Sequence, residues 1–196
     1  SGNFEECAHK YDTPTNSCEW CGEKFNQGYC EICEGKVISE GAVVTDRNVT
    51  LGEQIEMNVY LKLDDKLIAK DGAKLVIDST ADGGSKKEEY LVSELSPETE
   101  GDAVGKYKIT LPLRSIDMVR EISVSVVAEG ENCPRAYTTT IDGYLTALEE
   151  SSDIFEERML IKAMRNYGAY AQIYFAEKNG NESLTDTLPN AKLTEE

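Results

Sequence analysis

Cys18 and Cys21, followed by Cys30 and Cys33, form two C-x-x-C pairs inside the segment CEWCGEKFNQGYCEICEG. Two thiolates at this spacing leave one tight turn on the same side. Two such turns joined by a hairpin bring four sulfurs to the corners of a tetrahedron, the closed geometry of structural zinc. Gly22, directly after the first pair, suits the turn. A single C-x-x-C is shared by redox pairs and local disulfides, but a doubled one with no strand-helix-strand unit around it favours metal. Cys7 and His9 offer a second arrangement, a Cys3His site made with Cys18 and Cys21 that leaves Cys30 and Cys33 over. His9 is equally compatible with a plain surface residue. The competing chemistry is a disulfide framework, since six cysteines make an even number and an exported chain meets oxidising conditions. Cys133, far from the others, would then need a partner from the head; if that partner is Cys7, the bond staples the cysteine-rich head to the body, which requires Cα atoms within about 7 Å.

No catalytic constellation accompanies these cysteines. The single histidine lies among them, so a Ser-His-Asp or Cys-His arrangement would have to borrow a candidate ligand. The acid pairs Asp64-Asp65, Glu88-Glu89 and Glu149-Glu150 are neighbours in a chain with 37 acidic residues, where a solvated acidic face is the simpler account than glycosidic chemistry. Asp82-Gly83-Gly84 has neither the spacing nor the lysine of a phosphate loop. Asp78, Asp82 and Asp142 fall in turn-like sequence without the ligand spacing of a calcium loop. Asn48-Val49-Thr50 and Asn181-Glu182-Ser183 fit the glycosylation sequon.

Charge narrows the partners. Twenty Lys and Arg against 37 Asp and Glu leave a formal net charge of −17, which disfavours nucleic acid and anionic membrane surfaces. No run approaches the roughly 18 apolar residues of a spanning helix, so direct membrane insertion is not expected. The Ser-Gly start lacks the basic and apolar regions of a signal peptide, as in a mature segment whose export signal has been cut away.

The elements that position the cysteines divide the 196 residues. Clustering of five cysteines before residue 34 separates a head, 1–35, from a body that needs none. In the body, Ile55, Met57, Val59, Leu61 and Leu63 alternate with polar residues and Tyr60. Tyr107, Ile109, Leu111 and Leu113 do the same, as do Ile122, Val124, Val126 and Ala128. Shorter strands are expected at 37–44, 73–78, 89–93 and 137–141, bounded by Gly, Asp, Asn or Pro. About seven strands over 36–145 predict a mainly β fold, an antiparallel sandwich like the immunoglobulin class.

After Asp142 the period changes, and a helix is expected over 146–180. Phe155, Met159, Met164, Tyr167, Tyr170, Ala171, Tyr174 and Phe175 recur at steps of three to five. Asp153 with Glu156 offers a capping box, and Asn179-Gly180 a left-handed stop. The expectation is an amphipathic helix that packs within the chain through Met159, Met164, Tyr167, Tyr170 and Tyr174. The alternative is a stripe that belongs to a partner. Residues 181–196 read as a polar tail or linker.

The cysteine segment resembles the zinc-ribbon family, in which CxxCG is followed by a Gly-containing turn, an aromatic residue and a second CxxC; Tyr29 precedes Cys30 in that way. The segment MLIKAMRNYGAYAQIYF, 159–175, resembles a helix that recurs in large modular cell-surface proteins of anaerobic gut Gram-positive bacteria. With LGEQIEMNVYLKL, 51–63, the likeness spans most of 36–180. The resemblance implies an extracellular, non-catalytic structural, adhesive or spacer module flanked by neighbouring domains of a longer chain, in surroundings poor in oxidant, which favours metal over disulfide. The alternative is a binding module for an unknown protein or a carbohydrate that uses outward aromatics such as Tyr60, Tyr90 or Tyr144.

Overall fold

A computed structural model describes residues 11–12, 17–18, 29–30, 35–39, 41–52, 54–81, 84–129 and 136–180. Cys7, His9, Cys21, Cys33 and Cys133, the Asp82-Gly83 pair and residues 181–196 lie outside them. Among the described residues, eleven strands and three α-helices follow in order: β1 (Tyr11–Asp12), β2 (Ser17–Cys18), β3 (Tyr29–Cys30), β4 (Gly35–Ser39), β5 (Ala42–Leu51), β6 (Ile55–Leu63), α1 (Asp65–Ile68), β7 (Lys74–Ala81), β8 (Gly84–Leu91), β9 (Tyr107–Leu113), β10 (Ile122–Val127), β11 (Tyr137–Thr139), α2 (Ile141–Ser151) and α3 (Phe155–Lys178). The chain is mainly β, with two antiparallel sheets and a C-terminal helix. One sheet has the order β11-β10-β7-β8 and the other β3-β4-β5-β6-β9; β1 and β2 form a separate two-stranded pair.

Alternation explains the long strands. Ile55, Met57, Val59, Leu61 and Leu63 are all buried, so β6 keeps one apolar face inward along its whole length. β7 buries consecutive residues, Leu75, Val76 and Ile77, so both of its faces are covered there; β10 and β8 pair with its two edges, with Val124 opposite Ile77 and Val126 opposite Leu75. The single strand expected at 37–44 is instead a hairpin. Gly41 sits at φ +90°, a left-handed conformation glycine adopts without strain, and turns β4 back on β5. There the Gly41 carbonyl accepts from the Asp64 amide at 2.8 Å, while the Asp64 carboxylate caps α1 by accepting from the Leu67 amide at 2.7 Å.

The packing divides into two compact units, one of Ser1–Arg47, Asn58–Thr110 and Ile122–Thr138, the other of Asn48–Met57, Leu111–Glu121 and Thr139–Glu196. In the first, Val59, Leu61, Leu75, Ile77, Val124 and Val126 are core residues. Tyr137 is buried there as well, its hydroxyl accepting from Arg47 at 2.6 Å with the Lys36 ammonium 5.5 Å from its ring centre. In the second, Met57, Met118, Ile141, Leu145 and Ile161 are fully enclosed.

The helical region departs from expectation at its start. The strand expected at 137–141 ends at Thr139, and Ile141 opens a helix, because Thr140 Oγ1 accepts from the Gly143 amide at 2.8 Å and so caps α2. A second helix, α3, begins at Phe155. Asp153 does not cap it: the N-cap is Ile154, without a side-chain hydrogen bond. Ser152 takes over part of the role, its Oγ accepting from the Ile154 amide at 3.1 Å and donating to Glu157 at 2.5 Å. Gly180 at φ +67° follows the last turn as the sequence implied.

A candidate docking face on the last helix

α3 has 24 residues and so runs about 36 Å. Its buried residues are Ile161, Gly168, Ala169, Gln172 and Ala176, a face made mostly of small groups. Small groups let the backbone approach closely. A β-carbon added at Gly168 would stand 2.6 Å from Met118 Sδ and 3.4 Å from the Ser115 carbonyl oxygen. Gln172 Nε2 donates to the Ile116 carbonyl at 3.2 Å, so the 3-10 turn Ser115–Asp117 is the floor on which α3 rests. That turn is braced in its own right, because the buried Asp117 carboxylate lies 2.8 Å from Arg114 Nε and 2.7 Å from Arg120 Nε. Arg165 ties α3 to α2: its Nε meets Asp142 at 3.1 Å, its Nη2 donates to Thr146 Oγ1 at 2.5 Å, and its Nη1 donates to Glu149.

With small groups inside, the large ones face out. Tyr167 is 62% exposed, Tyr170 59%, Tyr174 57% and Met159 49%, and Phe155, Leu160 and Phe175 are exposed with them. The expectation that Met159, Tyr167, Tyr170 and Tyr174 pack inside the chain is therefore corrected; Met164 alone of that set is half-buried. Periodicity located the stripe, but burial follows the opposite side of the helix, where Gly168, Ala169 and Ala176 permit contact that bulky rings would block.

Beside the outward face runs an open groove of about 680 Å³. Leu160, Met164, Tyr167 and Phe175 of α3 form one wall, and Leu51, Ile55 and Leu113 contribute apolar surface across from them. All these residues belong to the same compact unit. Nothing in the sequence pattern pointed to this groove, since Leu51 and Leu113 lie at strand ends far from α3 in the chain.

The metal-ligand candidates are placed only in part. Cys18 is the last residue of β2 and pairs with Tyr11, and Cys30 is the last residue of β3 and pairs with Gly35. Backbone pairing thus runs across the boundary expected at Gly35, and each C-x-x-C begins where a two-residue strand ends. Cys21, Cys33, Cys7 and His9 lie outside the described residues. Among the described residues no three His, Cys, Asp or Glu side chains gather as a metal-binding group, and no helix is long and apolar enough to cross a membrane.

The aromatics expected to face outward on the body are not the exposed ones. Tyr60, Tyr90 and Tyr144 are half-buried, and the Tyr90 hydroxyl donates to Glu88 at 2.7 Å. That bond, with burial second, pushes the Tyr90 phenol up to about 12, while hydrogen bonds from Lys86 and then Tyr90 hold the Glu88 carboxyl below its ordinary value. Lys86, Lys87, Glu88 and Glu89 make β8, the outer strand of its sheet, strongly charged, which discourages pairing with another edge. Compared with known proteins, the chain matches no family model, no curated protein and no solved structure.

Proposed function

We propose that the protein is a non-catalytic, extracellular interaction module of a longer bacterial cell-surface protein, and that it docks another protein through the outward face of α3. The carrying observation is the exposure of Met159, Leu160, Tyr167, Tyr170, Tyr174 and Phe175 together on one helix beside an apolar groove. A contiguous apolar patch of this kind marks a protein-protein site on a soluble surface, and Tyr and Met are enriched in such sites. In this reading the two sheets are an immunoglobulin-like sandwich. The cysteine-rich head is a zinc-ribbon-like knuckle pair holding one structural zinc through Cys18, Cys21, Cys30 and Cys33; each pair starting at a strand end supports it.

A carbohydrate partner fits less well, because the exposed rings curve around a helix rather than forming a flat platform, and Tyr60, Tyr90 and Tyr144 are half-buried. A photo-crosslinking amino acid at position 170, used in cells displaying the full protein, tests the reading together with a glycan array. Discrete protein adducts that vanish when Tyr167 and Tyr174 are both changed to Ser are expected, with a blank array. Reproducible glycan binding, or no protein adduct, would overturn it.

A further inference from the structure

The outward face of α3 is complementary to itself when run in the opposite direction. With 3.6 residues per turn, Leu160, Tyr167 and Tyr174 define a central seam, with Glu156 before it and Lys178 after it. Met164 and Ala171 lie on one flank of this seam, and Ala163 and Tyr170 on the other. In an antiparallel helix pair each flank of one helix meets the same flank of the other. With Tyr167 on the two-fold axis, Met164 then faces Ala171 of the second copy, and Tyr170 faces Ala163 of the second copy. A large side chain meets a small one in all four places, which is what close helix packing needs.

The ends agree with the middle. The same register brings Glu156 of each copy to Lys178 of the other, so carboxylate meets ammonium at both ends, whereas a parallel pairing would set Lys178 against Lys178. Both residues are exposed, and opposed helix dipoles add to the antiparallel preference. The element is also suited to self-contact electrostatically: α3 carries four cations against three carboxylates in a chain of net charge −17. With aromatic side chains covering about 150 to 250 Å² each and the exposed ones here about half covered already, the face hides on the order of 600 Å² per copy, near the lower end of a stable interface.

We infer that the partner of this face is a second copy of the chain, bound as a two-fold antiparallel α3 pair centred on Tyr167. The inference rests on the docking reading above and names its occupant. Sedimentation of the full chain over a wide concentration series tests it. A monomer-dimer equilibrium is expected, weakened at least tenfold by Tyr167→Glu, weakened several-fold by Glu156→Lys or Lys178→Glu alone, and recovered when the two charge changes are combined. All three positions are exposed, so the monomer fold should persist, and circular dichroism melting checks that. A chain that stays monomeric throughout, a dimer indifferent to Tyr167→Glu, or single charge changes no weaker than the pair would overturn it. A monomer that still gives protein adducts from position 170 sinks the second copy alone; a monomer without adducts sinks the docking reading too.

Discussion

Gly168 is pressed against Met118, so closely that a β-carbon at 168 would lie 2.6 Å from the sulfur of a fully buried side chain. An exposed helical glycine changed to alanine gains about 1 kcal/mol of helix propensity, but overpacking costs about 1 to 3 kcal/mol. Gly168→Ala should therefore lose stability, by about 1 kcal/mol net, and Gly168→Leu should lose considerably more. Urea unfolding of both variants checks this. A stabilised Gly168→Ala would mean that the Met118 side chain does not press on Gly168.

The two faces of α3 should answer oppositely to truncation. Tyr167→Ser, Tyr170→Ser and Tyr174→Ser remove exposed rings and should each stay within about 0.5 kcal/mol of the parent in dilute monomer. Ile161→Ala leaves a cavity in a fully buried place and should cost about 2 to 5 kcal/mol. Thermal melts at low concentration decide between this orientation and one with the rings inside, in which the order of effects would reverse.

Alternation made β6, β9 and β10 legible, because each has one face in the core and period two has no competing reading there. The 37–44 segment reads as one strand because Gly41 carries no side-chain signal, and only its positive φ shows the hairpin. α2 was hidden for a related reason: Tyr137, Thr139 and Ile141 alternate like a strand, while the cap made by Thr140 Oγ1 decides for a helix. For α3 the helical period holds, but the buried side is the one opposite the aromatic stripe. Hydrophobicity ranks Tyr170 and Met159 above Gly168 and Ala169 as core candidates, yet the close approach of the Met118 side chain and the Ser115 carbonyl to Gly168 selects for small size there. The groove depends on Leu51 and Leu113 meeting α3 in space, which no local pattern encodes.

The four-cysteine reading has a stoichiometric consequence. Protein purified without added zinc should contain about one zinc per chain, and chelation should release it with loss of folded structure in the head, since a segment that small cannot bury its own core. Elemental analysis with thiol titration measures both. Little zinc with all six cysteines oxidised would favour the disulfide framework and the Cys7–Cys133 staple. Zinc that survives loss of Cys30 and Cys33 but not of Cys7 and His9 would favour the Cys3His alternative.

Glu89 provides a pH test of the β7–β8 hairpin. Its Oε2 lies 2.7 Å from Lys74 Nζ on the neighbouring strand and its Oε1 2.8 Å from Lys87 Nζ. Hydrogen bonds from Lys74 and then Lys87, with their charges behind them, pull the carboxyl down from 4.5 to about 2. A carboxyl lowered in the folded state releases its proton more readily there than in the unfolded chain. Its stabilising contribution is therefore complete above about pH 4.5 and fades as pH falls through about 2. Because the group is exposed to solvent, salt screens the contribution, and a carboxyl NMR titration is a better readout than melting. At low salt the Glu89 midpoint should lie near 2 and move up in Lys74→Ala, less so in Lys87→Ala, and also on adding salt. A midpoint at the ordinary value in the unchanged protein at low salt would show that neither lysine holds the carboxylate in solution.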